Sequence, residues 1–311
     1  MPRVADDTPK ELRPFLFHRL ELSWGGSSEA NGDCIFCGRD KKFYVNVETG
    51  KWNCRICGKS GNAITFLREL HKNSPTSKEH YDEVIEDRKL KYETLARWGL
   101  VQSLVDQEWM LPTYTPKNGT DSAINNLYRW SSPKMGAKRV LLCTSGFEHG
   151  LFGMQFYDPN KPDLDLLEGP WNAMAWEEEH LKTTSGKTRL RQTNILGLGG
   201  ATTFKDSWLK YFQAKNVFLA FDSDHPKRSC IDCKKSYSLV THRHCPSCGK
   251  TEGRNVEPAG YNGLKGVTKK LKSTVASLHV LRWGEEGYDP TKPSGYDIRD
   301  FLKRDSTTAD T

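Results

Sequence analysis

Long apolar runs are missing from this 311-residue sequence. No stretch of roughly 18 apolar residues occurs, which excludes a membrane-spanning helix, and the mean hydropathy of −0.69 agrees. Met1 to Arg13 mixes both charge signs where a secretory leader would carry an apolar core. A cytoplasmic setting with no membrane partner is therefore expected. Scattered cysteines are also absent. Eight of the nine sit in CxxC pairs, a usage that belongs to metal ligation in a reducing compartment rather than to a disulfide framework. No internal repeat appears beyond those pairs. A phosphate-binding P-loop is excluded as well: Gly186-Lys187-Thr188 has Leu181 where the first glycine belongs, and no strand precedes it.

The cysteines that are present carry the first positive signal. Cys34, Cys37, Cys54 and Cys57 follow C-x2-C-x16-C-x2-C, and Cys230, Cys233, Cys245 and Cys248 follow C-x2-C-x11-C-x2-C. Four thiolates on two short turns satisfy a tetrahedral Zn²⁺, so each set predicts a zinc ribbon holding one structural ion. In the first set Phe43, Val45 and Val47 alternate with Tyr44 and Asn46 as a strand does, Glu48-Thr49-Gly50 turns, and Lys51 to Asn53 returns. Asn62 is placed to cap a helix bearing Ile64, Leu67 and Leu70 on one face. Trp52 and Phe43 read as ribbon core, whereas Tyr44 points away from them and is the candidate platform for a nucleic-acid base. Cys143, the leftover thiol, lies in an apolar run and is expected in the core.

A helix is expected over 9–20, and the polar stretch His71 to Arg88 reads as a linker. Strands are expected at Trp109–Tyr114, Ala123–Trp130 and Arg139–Cys143. Beyond Asp163, strands alternate with helices: Leu164–Leu167, a helix from Pro170, Asn194–Leu198, a helix over 204–212, Val217–Phe221, a helix over 263–272, and Ser277–Leu281. That order implies a parallel sheet with right-handed crossovers. Functional groups of such a sheet sit at the carboxyl ends of its strands, here Glu168-Gly169, Gly199-Gly200 and Asp222-Ser223-Asp224. Three converging carboxylates are hard ligands for Mg²⁺ or Mn²⁺, the ions of phosphoryl and nucleotidyl transfer. Asp206 and Asp297 are possible further acids but read more simply as solvated surface. The net charge of +7 favours an anionic partner.

Leu167-Glu168-Gly169-Pro170-Trp171-Asn172-Ala173, Phe221-Asp222-Ser223-Asp224 and Ala259-Gly260 together resemble a Toprim domain. With the first ribbon, with Leu127-Tyr128-Arg129, Lys138 and His149 to Gly153, and with the closing Gly295 to Leu302, residues 31–305 resemble bacterial and phage DNA primases. The resemblance implies an α/β fold: a Toprim-type parallel sheet flanked by helices, an N-terminal zinc ribbon, and a second zinc ribbon inserted in the Toprim domain. It implies the divisions 1–72 (zinc ribbon), 73–88 (linker), 89–162 (amino-terminal part of the polymerase core) and 163–311 (Toprim, with its insertion at 227–252). It further implies a DNA-directed RNA polymerase that makes short primers from NTPs on a single-stranded DNA template, in a bacterial or phage-infected cytoplasm. Glu168, Asp222 and Asp224 would hold Mg²⁺ or Mn²⁺, Arg129 and Lys138 would belong to a basic surface touching template or nucleotide, and the first ribbon would select the start site.

The sequence departs from that pattern in four respects. The ribbon has four cysteines where many relatives have a histidine, Asn172 stands where a second acid is common, the second ribbon interrupts the Toprim region, and the sequence carries neither a helicase nor a helicase-docking domain after it. A separate replicative helicase is thus left open as a partner. Two other functions also remain open: a Toprim nuclease, in which the same acids direct water, and a non-catalytic, zinc-rich adaptor for single-stranded DNA.

Overall fold

The computed structural model describes residues 8–116, 122–130 and 141–305. Lys138 lies outside the described residues. The chain divides into two compact units, Met1–Gln155 and Phe156–Thr311.

In the first unit a turn of 3-10 helix leads into α1 (Arg13–Phe17). The helix expected to reach residue 20 stops at His18, because Arg19 takes a left-handed conformation (φ 66°) and Leu20 N–H returns to the Phe15 carbonyl. Strands β1 (Glu29–Gly32), β2 (Phe43–Asn46), β3 (Trp52–Cys54) and β4 (Ser60–Gly61) pair antiparallel in that order. Alternation buries Phe43, Val45 and Trp52 on one face. Trp52 stacks on Phe43 at 5.2 Å and donates its indole N–H to the Asn62 carbonyl at 2.8 Å. Asn62 caps α2 (Ala63–Asn73) reciprocally with Thr65.

The stretch read as a linker contains α3 (Asp82–Arg88), with Tyr81 and Val84 fully buried. A stripe of only Tyr81, Val84 and Arg88 among charged neighbours hides it from a periodicity reading. Arg88 is accommodated inside by laying its guanidinium over Trp130, 4.7 Å from the ring centroid. After α4 (Tyr92–Arg97) come β5 (Val101–Gln102), β6 (Trp109–Tyr114), β7 (Ile124–Trp130) and β8 (Leu141–Cys143), paired antiparallel in sequence order. The apolar face of α2 packs with Val101, Met110, Ile124 and Leu127, so the ribbon and this second sheet share one core. A four-stranded ribbon is too small to bury such a helix alone. Cys143 is only half-buried, and its sulfur takes the Asn126 side-chain N–H at 2.8 Å.

Arg129 corrects the sequence reading. It is not on a basic surface: strand β7 is buried on both faces, and Arg129 is 1% exposed. Its Nε donates to Glu108 at 2.9 Å, and its terminal nitrogen pairs with Asp106 and Glu108. Removing Arg129 would take away the near partner of Asp106 and Glu108 and leave them with the more distant Arg19, at 3.4 and 3.8 Å. Arg129→Ala is therefore expected to cost about 3–5 kcal/mol in urea unfolding, whereas a loss below about 1 kcal/mol would match an exposed pair instead.

In the second unit the order is β9 (Asp163–Leu167), α5 (Pro170–Lys182), α6 (Thr184–Gln192), β10 (Thr193–Gly197), α7 (Leu209–Phe212), β11 (Asn216–Ala220), β12 (Lys227–Cys230), β13 (Ser236–Ser238), β14 (Gly253–Val256), α8 (Ala259–Leu271), β15 (Ser277–Val280) and α9 (Ile298–Asp305). Strands β10-β9-β11-β15 form an all-parallel sheet in that order, and β13-β12-β14 form a small antiparallel sheet. The chain winds from β9 to β10 on one side and continues through β11 to β15 on the other. The topological switch point therefore falls between β9 and β11, where open parallel sheets place their ligands.

Candidate active site

Each acid sits where a strand ends. β9 runs out at Leu167, directly opposite Ala220 at the end of β11. Glu168 N–H donates to the Ala220 carbonyl at 3.1 Å, and Asp222 N–H donates to Glu168 Oε2 at 2.9 Å. The chain then turns into α5 at Gly169 and Pro170, where proline loses nothing by lacking an N–H. Asp224 is fixed from the other side, accepting the Gly260 N–H of α8 at 3.1 Å. A Cβ on Gly260 would lie 2.3 Å from the Asp222 carbonyl oxygen and 3.0 Å from Glu168 Oε2. Only glycine lets the positive end of α8 come this close to the acids.

A fourth carboxylate joins them. Asp297 is 3% exposed, which overturns its reading as solvated surface. The segment before it is stitched to the Asp222–Asp224 turn: Ser223 N–H donates to the Tyr296 carbonyl at 2.8 Å, and Gly295 N–H to the Ser223 carbonyl at 2.9 Å. Arg299 pairs with Asp297 and donates through Nε to Asn172 Oδ1 at 3.0 Å. Asn172 in turn donates to Asp222 Oδ1 at 2.9 Å. Sequence reasoning misses this bridging role of Asn172 and Arg299. The available signals are spacings: Asn172 is four residues after Glu168, and Arg299 two after Asp297. Asp206 is remote from this network in kind, its side chain 76% exposed and paired with Lys270.

Withdrawal from water raises the Glu168 carboxyl to about 7, and the charges of Asp224 and Asp297 add to this against the Asp222 N–H bond. Asp222 is likewise raised well above its ordinary value, first by desolvation and then by Glu168, Asp297 and Asp224, with Arg299 opposing. Such a site favours a bound cation, and carboxylate oxygens suit Mg²⁺ or Mn²⁺. The acids are not, however, drawn as tightly as the cysteines, whose two quartets each hold all four sulfurs within 4.8 Å.

The quartets fit zinc. Tetrahedral thiolates at ordinary Zn–S lengths place sulfurs about 3.8 Å apart. Here Cys34–Cys57 and Cys37–Cys54 measure 4.0 and 3.7 Å, and Cys230–Cys248 and Cys233–Cys245 both measure 3.5 Å. These separations are far beyond a disulfide bond of about 2.05 Å. On the first ribbon Tyr44 does face outward, half-buried, with the Arg55 guanidinium 3.8 Å from its ring centroid.

No protein-family model and no curated protein matches the sequence. Three solved structures are similar in fold. The primase fragment of the bacteriophage T7 primase-helicase protein is 12% identical, covering 93% of this chain and 97% of that one, with a TM-score of 0.43. The Aquifex aeolicus primase (zinc-binding and RNA polymerase domains) is 15% identical, covering 99% and 84%, with a TM-score of 0.44. The DnaG catalytic core is 13% identical, covering 79% and 78%, with a TM-score of 0.45. The likeness is to bacterial and phage primases. No helix among the described residues is long and apolar enough to cross a membrane.

Two measurements test the site. The purified chain is expected to carry two zinc ions by elemental analysis, and Cys34→Ala or Cys230→Ala to carry one. For Glu168 the sign is fixed by its raised value. Below pH 4.5 the group is neutral folded or unfolded and has no effect. As pH rises toward 7 the unfolded chain ionises it freely while the folded chain resists, so stability is lost. Without added Mg²⁺ or Mn²⁺, Glu168→Gln should gain on the wild type by up to about 3 kcal/mol between roughly pH 4.5 and 8. A difference flat with pH would contradict the raised value.

Proposed function

We propose that this protein is a DNA primase: a nucleotidyltransferase that makes short RNA primers from NTPs on single-stranded DNA. The observation carrying this reading is the convergence of Glu168, Asp222 and Asp224 at the switch point of a parallel sheet, beside the N-terminus of α8. Its Toprim-like motifs and the Cys34–Cys57 ribbon, in one chain, favour primer synthesis over strand cleavage.

Glu168, Asp222 and Asp224 would hold Mg²⁺ or Mn²⁺, which when bound neutralises phosphate charge and makes a ribose 3′-hydroxyl easier to ionise. The chain's own contribution is positioning. Asn172 orients Asp222, and the Asp222 and Gly260 N–H groups orient Glu168 and Asp224. Arg299 keeps Asp297 compensated, so that this acid need not compete for the ion. The Tyr44 ring with Arg55 above it offers two stackable planes on the outer face of the first ribbon, suited to unpaired template bases at a start site. The amino-terminal part of the core and the Toprim region would be functional divisions of the polymerase.

Incubated with mixed-sequence single-stranded DNA, labelled NTPs and Mg²⁺ or Mn²⁺, the wild type should yield short RNA. Glu168→Gln and Asp222→Asn should each lose at least a hundredfold in synthesis with both zinc ions retained. Synthesis preserved in either variant would sink the mechanism; shortened DNA would indicate the nuclease, and bound, intact DNA without product the adaptor.

A further inference from the structure

The second ribbon differs from its surroundings in charge. From Lys227 to Val256, seven lysine and arginine residues stand against two acids, Asp232 and Glu252. Lys227, Lys234, Lys235, Arg243, Lys250 and Arg254 are all exposed, and among the described residues none forms an ion pair. Arg228 is the exception in kind, spending its guanidinium inside the ribbon on Asn255 Oδ1 and the Thr251 carbonyl, each at 2.9 Å. A structural ribbon has no use for six unpaired cations, which repel one another.

Strand register sorts these groups. Lys227 is opposite Ser238 and Val256, and Ser229 is opposite Ser236 and Arg254. By alternation, Lys227, Arg254, Val256 and three serine hydroxyls share one face of the small sheet, while Tyr237 and Cys230 turn to the metal side. Val256 is 43% exposed. The outward face thus combines cations, the Ser229 and Ser236 hydroxyls and an apolar surface, the mixture that contacts phosphate and sugar along a nucleic-acid backbone.

The ribbon is also rooted in the acidic site. β12 begins three residues after Asp224, and β14 leads through Glu257 and Pro258 into α8, whose Gly260 N–H closes back on Asp224. Leu239 N–H donates to the Pro226 carbonyl at 2.9 Å, and the His225 ring meets Ser238 Oγ at 3.3 Å. His225 is itself 3% exposed, with its backbone N–H on Ser294 Oγ. The base of the ribbon is bolted to the carboxylate turn rather than tethered to it.

We propose that the ribbon from Lys227 to Val256 is a fixed cationic arm that grips the phosphate backbone of single-stranded nucleic acid next to Glu168, Asp222 and Asp224. The proposal rests on the primase reading only for what the held strand is presented to. Its test is binding, measured without turnover.

Anisotropy of a fluorescein-labelled oligothymidylate is followed with the full chain over about 50 to 300 mM NaCl, without added divalent ions. The variant Lys227→Gln/Lys234→Gln/Lys235→Gln/Arg254→Gln should bind at least tenfold more weakly at the lowest salt. Its log Kd against log[NaCl] slope should shrink by about 0.7 for each phosphate it no longer neutralises. Lys234→Gln/Lys235→Gln, confined to one exposed turn, should show a smaller change of the same kind, and stands alone if the quadruple variant loses zinc. A change under twofold with both zinc ions present overturns the arm. So does polyglutamate that competes as well as oligothymidylate at equal charge, which would mark the face as a dock for an acidic protein. Normal binding by the ribbon variants bears on the arm alone, whereas loss of synthesis in Glu168→Gln bears on the functional reading.

Discussion

Carboxylates do not gather without help. Four of them in a half-dry crevice repel one another and lose hydration, which is why Glu168 and Asp222 both resist ionisation. Much of the second unit opposes that cost. The parallel sheet delivers Glu168 and Asp222 on adjacent strand ends. Backbone N–H groups of Asp222 and Gly260 are spent on side-chain oxygens, and the positive end of α8 approaches through a glycine that no other residue can replace without displacing the Asp222 carbonyl. Arg299 supplies a full positive charge to the network, shared between Asp297 and Asn172. These devices hold the acids in place and do not neutralise them all. The residual negative charge is what a divalent cation would balance.

Asn172 acquires a meaning in this light. An aspartate there would add a further negative charge beside Asp222, with only Arg299 to meet it. An asparagine instead donates to Asp222 and accepts from Arg299. It converts what would be repulsion into a hydrogen-bonded relay between a guanidinium and a carboxylate. Asn172 is thus a polar bridge within the site and not a gap in it.

What could be read from the sequence was whatever depends on local chemistry. Cysteine spacing gave both quartets, because knuckle geometry is set within a few residues; Asn62 was legible as a cap for the same reason. Strand-end acids were legible because strand, turn and helix follow directly in sequence around Glu168 and Asp222. Tertiary burial was not. Arg129 looks like any surface arginine until Glu108, just before the neighbouring strand β6, meets it. Asp297 looks solvated until the Tyr296–Ser223 pairing draws it in. Helix α3 hides among charged residues because its stripe is only three residues long and one of them is arginine. In each case a partner distant in sequence makes burial of a charged group tolerable.

The two ribbons show how differently the same metal motif can be used. The first lends Phe43, Trp52, Cys34 and Cys54 to a core that includes α1, α2 and residues of β5, β6 and β7. Its zinc would secure one corner of a larger packed body. The second has a core of Cys230, Tyr237 and Cys245, with Cys233 and Leu239 against it. So small a cluster cannot offset the entropy of ordering about thirty residues, so the fold of this ribbon must come chiefly from its ion and its anchored base. Freed from any packing duty, nearly all of its surface is available for charge. A module that contributes little to the core of its unit, and that carries unpaired cations at the edge of a carboxylate site, has its physical rationale in what it holds rather than in what it supports.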